Sequence, residues 1–316
     1  MNRTFLDSEL AEVKSVIGAA AMMTDRRAGA VIGDLVAAGG KFLRPQILLL
    51  SAMTGKYDAE RIRPLAAAVE LLHTATLLHD DVIDDSPSRR GLPSAHTRIG
   101  QKDAVLAGDF LFSRCFMLAA QSSNPETARD LAKAIDIIVS AELAQDSERW
   151  HFTPSVRSCI RKLGGKTAVL FSLASRAGST EAKAPARTVS ALSRAAWAAG
   201  IAFQIQDDIL DWQGDEKRLG KAVLNDLAEG FCTLPLSFAL AADPAALRGL
   251  LTPEAVRDGS RDEVARIVRD TGSLVRAAEL AHAYRDRSLA SLEMIPSSFA
   301  RDRLAYIFSS FVNRER

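Results

Sequence analysis

Residues 77–91 read LLHDDVIDDSPSRRG, and the rest of the chain becomes intelligible from this stretch. An apolar run ends in four carboxylates, Asp80, Asp81, Asp84 and Asp85, and two adjacent arginines, Arg89 and Arg90, follow. Asp80 and Asp84 are four residues apart, as are Asp81 and Asp85, so on an α-helix each pair shares a face one turn apart. Carboxylates at this density repel one another unless a cation neutralises them. Two arginines cannot serve all four, and the guanidinium fork suits phosphate oxygens as well as carboxylates. The pattern points to hard divalent cations that hold a phosphorylated substrate. Pro87 and Gly91 end the helix and leave both arginines in a loop.

Upstream, a long helix is expected from about Glu60 to Asp85. His73 lies seven residues, or about two turns, before Asp80 and shares its face. His79, directly before the aspartates, reads as an ordinary core histidine. Further back, Gly39-Gly40 stops a pair of amphipathic helices over about 6–38. Lys41 and Arg44 then follow, two cations at a close spacing that suits a diphosphate that need not carry metal.

Downstream, helices are expected at about 103–122 and 125–149, then one containing Gly164-Gly165-Lys166-Thr167. Each mid-helix glycine costs roughly 1 kcal/mol relative to alanine, so the pair signals close packing or a kink. A long helix over about 186–212 ends in FQIQDDILD, where Asp207, Asp208 and Asp211 repeat the DDxxD spacing. Both clusters stand at the C-terminal end of an apolar helix, where the dipole prefers cations. With 24 Asp in 316 residues, chance supplies one DDxxD roughly 0.14 times, and two far more rarely. Two acidic helix ends suit Mg²⁺, which takes oxygen ligands from carboxylates, waters and substrate phosphates. No strand, repeat or linker is evident, and residues 1–316 are read as one all-α domain.

Composition agrees. The chain is 47% apolar and only 6% aromatic, and its net charge of +1 carries no nucleic-acid footprint. It holds 10 Lys against 30 Arg, so a lysine beside glycine in a motif is informative. Cys115, Cys159 and Cys232 are widely spaced in apolar segments, as expected of reduced thiols in a cytoplasmic protein. No apolar run reaches the ~18–20 residues of a membrane span, and the N-terminus does not read as a signal peptide.

These motifs, in this order, resemble the trans-type isoprenyl diphosphate synthases, most closely the long-chain polyprenyl diphosphate synthases. The resemblance runs from GGKFLRP through LLHDDVIDDSPSRRG, GDFLF, GGKTAVLF and FQIQDDILD to LGKAVLNDLAEGFCTLPL. It implies a helical bundle around a central cavity and a homodimer. It also implies a Mg²⁺-dependent, head-to-tail condensation of isopentenyl diphosphate with an allylic diphosphate, the product being delivered to a membrane. By resemblance, Asp80, Asp81 and Asp84 form the first metal motif and Asp207, Asp208 and Asp211 the second. Asp80, Asp81, Asp84, Lys166, Asp207 and Asp208 carry the catalytic roles. Arg89, Lys166, Thr167, Gln204 and Lys221 match groups that hold the allylic diphosphate, and Lys41, Arg44, His73 and Arg90 match the isopentenyl diphosphate pocket.

The chain departs from the family in one motif. Where the family commonly reads GKPxGxDLxEGKxTLP, this sequence reads GKAVLNDLAEGFCTLP, with Phe231 replacing the second lysine. A charge-assisted contact of that kind typically contributes roughly 1.5–3 kcal/mol, unless another arginine of this Arg-rich chain substitutes. Phe42 likewise stands where the family is often basic. Small side chains at Ala75 and Thr76, upstream of Asp80, leave the tail channel open and favour a long product. Phe112, Phe116 and Met117 are candidates for its floor. The alternatives are a medium-chain (geranylgeranyl- or farnesyl-type) synthase and a low-activity partner subunit of a heteromeric synthase. Terpene cyclases fit less well, because their second motif is usually of another type than DDILD.

Overall fold

The computed structural model describes residues 1–38, 40–89, 91–153, 155–213 and 224–313. In chain order the helices are α1 (Arg3–Ala20), α2 (Arg26–Ala37), α3 (Leu43–Ala52), α4 (Ala59–Ile83), α5 (Ala95–Ile99), α6 (Gln101–Ala119), α7 (Glu126–Ser147) and α8 (Val156–Leu163). A π-helical turn, Gly164–Ala168, joins α8 to α9 (Val169–Glu181). There follow α10 (Ala186–Gln213), α11 (Asn225–Ala228), α12 (Leu234–Ala242), α13 (Pro253–Arg257), α14 (Arg261–Asp270), α15 (Ser273–Glu293) and α16 (Phe299–Ser310). The fold is all-α, as expected. One detail differs: Ser88–Arg89 (β1) and Leu92–Pro93 (β2) form a two-residue antiparallel ladder. Period-2 patterning cannot reveal so short a ladder; the turn that closes it, with Gly91 at φ +78°, creates it.

The chain forms two compact units. The first comprises Met1–Ala132, Leu173–Ser193 and Ile295–Leu304. Its centre is α4, a 25-residue helix capped at its start by Asp58, whose side chain accepts from the Glu60 N–H. α4 packs on α1, α3 and, most extensively, α6, burying Ala66, Ala67, Ala68, Leu71, Leu72 and Ala75 completely. A polar clamp holds this packing in register. Glu9 of α1 is 3% exposed and accepts from Arg63 Nε and Nη2, both at 2.8 Å, and from the Tyr57 hydroxyl at 2.7 Å.

Arg63's hydrogen bonds hold the Glu9 carboxyl below its usual range against the opposing effect of burial. A carboxyl with a depressed folded pKa contributes stability above its unfolded pKa, and that contribution is lost as pH falls through the folded value. Removing one partner of a buried pair leaves an uncompensated charge. Because Arg63 is about a third exposed and Tyr57 still donates to Glu9, Arg63→Met is expected to cost ~1–3 kcal/mol in urea unfolding at neutral pH, and Glu9→Gln to flatten the acid limb of the stability curve. Equal stability of Arg63→Met and the parent would overturn this account of the clamp.

The second unit comprises Lys133–Ser172, Arg194–Met294 and Ala305–Arg316. Its core gathers Ile201, Ile205, Ile209 and Trp212 of α10 with Leu234, Leu236 and Ala239 of α12 and Val264 and Val268 of α14. The Gly164-Gly165 pair lies at the π-turn, so the sequence expectation of close packing and the expectation of a kink both hold. A Cβ on Gly164 would sit 2.7 Å from the Trp197 ring, and one on Gly165 would sit 2.6 Å from the Ala141 methyl. The glycines let α10 and α7 approach closely, and the wider turn re-aims the two residues that follow.

Candidate active site

In the first unit the DDxxD motif occupies the last turn and C-cap of α4. Asp81 is buried and faces inward, Asp80 is half-buried and Asp84 is exposed. Asp85 takes a left-handed φ of +47°, which turns the chain out of the helix, and the hairpin folds back beneath it. That return places Arg89 against Asp81, with Arg89 Nε donating to Oδ1 at 2.8 Å and Nη2 donating to the same oxygen. One of the expected phosphate-binding arginines is thus already partnered with one of the expected metal ligands. Asp81 and Arg89 line a cleft of about 300 Å³, together with Leu35, Leu78, Pro93 and Arg98.

The basic pair upstream is differently made. Phe42, at φ +46°, precedes α3, which has no side-chain N-cap bond. The uncapped amides, exposed Lys41 and half-buried Arg44 all present positive charge at one helix start. The Lys14 ammonium lies over the Phe42 ring, 4.8 Å from its centroid. His73 is half-buried on α4. His79 has the structural role expected of it: Nε2 lies 3.1 Å from the Val105 carbonyl, and a Cβ on Gly108 would strike its ring.

In the second unit α10 carries Gln204, Asp207, Asp208 and Asp211. Thr167 Oγ1, in the π-turn, donates to Gln204 Oε1 at 2.7 Å, and Gln204 Nε2 donates to Asp208 Oδ1 at 3.3 Å. Asp208 is 4% exposed, and its Oδ2 has no hydrogen-bond partner. Burial first, then the charges of Asp226 and Asp207, hold its carboxyl well above the usual carboxylate range. Burial, and after it Asp211, push Asp226 up to about 7, while the Lys166 ammonium pulls the other way. Asp211 accepts backbone N–H bonds from Asn225 at 3.2 Å and Asp226 at 3.3 Å, which fixes α11 against the motif. These groups wall a cleft of about 520 Å³ whose lining includes Lys162, Lys166, Gln204, Asp208, Asp226 and Phe231. Cys159 and Cys232 also line it, but burial raises both thiols, Cys232 to about 12, so neither is a nucleophile at neutral pH.

Each expected site residue is thus placed within its unit, except Arg90 and Lys221, which lie outside the described residues. The sequence reading missed Asp226 as a charge partner of the second motif. It also missed the glutamates that receive the lysines, Glu142 at 3.1 Å from Lys166 and Glu148 at 3.0 Å from Lys162. Spacing along one helix carries no signal for partners on another.

The polyprenyl synthetase family model matches residues 26–270. The chain belongs to the polyprenyl synthetase family. Component 2 of the heptaprenyl diphosphate synthase of Geobacillus stearothermophilus is 35% identical over 303 residues, covering 95% of this chain and 94% of that one. A decaprenyl diphosphate synthase structure from Rhodobacter capsulatus superposes with a TM-score of 0.92 at 33% identity, covering 99% and 98% of the two chains. A polyprenyl synthase from Caulobacter crescentus CB15, solved with calcium and isoprenyl diphosphate, gives a TM-score of 0.90 at 34% identity, covering 98% and 96%. This chain is a trans-prenyltransferase of the long-chain polyprenyl diphosphate synthase group. Members of the family generally use divalent metal ions.

The residues present fit such an ion. Asp208 offers a buried carboxylate oxygen with no partner, and its neighbours Asp207 and Asp226 add negative charge that a bound divalent cation would offset. All the donors are hard oxygens. Among the described residues no three His, Cys, Asp or Glu side chains form a ready-made cage. Mg²⁺ does not require one, because it keeps several waters and binds through one or two carboxylates plus substrate phosphates. Among the described residues no helix is long and apolar enough to cross a membrane.

Proposed function

We propose that residues 1–316 act as one Mg²⁺-dependent synthase domain around a central cavity, extending an allylic diphosphate with isopentenyl diphosphate to a long-chain, all-trans polyprenyl diphosphate. The observation that carries the residue assignments is the buried, cation-seeking Asp208 beside Gln204, in a cleft that Lys166 also lines. Asp80, Asp81 and Asp84 would hold metal, as would Asp207, Asp208 and Asp211. Bound Mg²⁺ would draw charge from the allylic diphosphate and make it a leaving group.

The protein's own part is positioning and electrostatics. Lys166, Thr167 and Gln204 hold the allylic diphosphate, joined by Arg89 and Lys221. Lys41 and Arg44, at the uncapped start of α3, receive isopentenyl diphosphate with His73 and Arg90. The apolar faces of α4 and α6 take the growing tail and exclude water. No side-chain nucleophile is required. A proton must leave after the new carbon–carbon bond forms, and the departing diphosphate is the base at hand.

The chain is read as a homodimer of the cytoplasm that passes its product to a membrane. Its thiols are free, and α6 exposes Val105, Leu106, Phe116 and Met117, two pairs three turns apart on one stripe. The name of the Geobacillus relative, a component 2, supports a second reading, in which another subunit completes the enzyme. One experiment tests both. Purified chain alone, given Mg²⁺, farnesyl diphosphate and isopentenyl diphosphate, should release diphosphate, sediment as two copies and stop on chelation. Absence of diphosphate release from the chain alone would overturn the homodimeric reading, and its recovery on adding a second subunit would establish the heteromeric one.

A further inference from the structure

Phe231 leaves the second-unit cleft one cation short of the family pattern, yet the cleft wall holds a lysine that no role above uses. Lys162 lines the cleft with Lys166, Asp208, Asp226 and Phe231, and its side chain is only 16% exposed. It precedes Lys166 by four residues, across the Leu163-Gly164-Gly165 step into the π-turn. The two lysines are held alike. Lys166 Nζ lies 3.1 Å from Glu142 Oε1 and Lys162 Nζ lies 3.0 Å from Glu148 Oε2, the second pair running back along the segment that supplies the first.

Pairing with Glu148 does not account for Lys162. That glutamate is about half exposed, and ion pairs reaching solvent contribute little. Meanwhile a long side chain held inside a cleft gives up rotamer freedom and hydration. Arg149 is another cation nearby among the described residues. Its guanidinium stacks on the Phe231 ring, 4.8 Å from the centroid, with Asp146 3.6 Å from its Nε, and it is not among the residues lining the cleft.

We propose that Lys162 joins Lys166 as a diphosphate-binding cation of this cleft and takes over the charge lost where Phe231 replaces a lysine. The inference rests on the reading of the cleft as the allylic diphosphate site. When substrate enters, the Lys162 ammonium exchanges Glu148 for a phosphate oxygen, a stronger acceptor.

The test is steady-state kinetics of the full chain with Mg²⁺, farnesyl diphosphate and isopentenyl diphosphate. Lys162→Met should raise KM for farnesyl diphosphate about 10- to 100-fold and leave KM for isopentenyl diphosphate unchanged. Lys162→Met combined with Phe231→Lys should bring that KM back toward the parent value. Glu148→Gln should not reproduce the defect, whereas a purely structural ion pair would make Glu148→Gln and Lys162→Met alike. An unchanged KM in Lys162→Met, or a defect found only in Arg149→Met, overturns the proposal. Lys166→Met separates the two layers: if it raises the KM and Lys162→Met does not, only the Lys162 role fails. If neither matters, the assignment of the cleft fails as well.

Discussion

Replacing Asp208 with asparagine is expected to cut turnover steeply and, in the absence of metal, to make the protein more stable. The two effects have one cause. Asp208 is 4% exposed, has one oxygen without a hydrogen-bond partner, and sits among the charges of Asp226 and Asp207. A carboxyl whose folded pKa lies above its unfolded value opposes folding at neutral pH, because the unfolded chain ionises it freely and the folded chain does not. Asparagine keeps the shape and the oxygen that accepts from Gln204, and it removes the charge. Relief of a buried, uncompensated polar group is expected to raise stability by ~1–3 kcal/mol in EDTA. With saturating Mg²⁺ and both substrates, loss of one metal ligand should cost several kcal/mol of transition-state stabilisation, a fall in kcat of ~10³-fold. Thermal melts in EDTA and initial rates on the same preparation give both numbers. A lower Tm, or a kcat close to the parent's, would show that Asp208 serves packing rather than cation binding.

The same residue shows how far the sequence reaches. That Asp207, Asp208 and Asp211 end a long helix follows from apolar periodicity and from the breakers after Trp212, and α10 runs to Gln213. The position of Asp226 against that helix does not follow, because it depends on α11 being tied back to Asp211 through two backbone N–H bonds. Likewise LLHDDVIDDSPSRRG gave away its helix, its break and its two arginines. What it hid was that the break closes into a ladder and returns Arg89 to Asp81. Glycine was the best single signal: the Gly164-Gly165 pair indicated close packing before any partner was known, and Trp197 and Ala141 are those partners. Side chains on different elements were the blind spot. Lys162 carries no signal in the sequence, and only the fold brings it to Glu148. Phe116 and Met117, plausible as a channel floor by spacing, are exposed on α6, because Leu111, Cys115 and Ala119 occupy its inward face.

Ala75→Phe is expected to shorten the product by several isoprene units, and the structure sharpens how that experiment must be built. Ala75 is fully buried on α4, the helix that carries Asp80 five residues on and packs most extensively against α6. A phenyl ring there enters a site fully shielded from solvent. It must displace whatever passes along α4, or strain the α4–α6 contact at ~1–3 kcal/mol. The neighbouring Thr76 separates these outcomes. It is half-buried, and its hydroxyl does nothing more among the described contacts than donate to the His73 carbonyl at 2.8 Å. Thr76→Phe therefore adds bulk with less disturbance of the core. If the tail runs past both positions, both variants give shorter prenyl alcohols by chromatography after phosphatase treatment, with diphosphate still released in the first condensations. Shortening in Ala75→Phe alone, with a lowered Tm, is what a distorted core produces. Unchanged product lengths in both variants would move the channel off this face of α4.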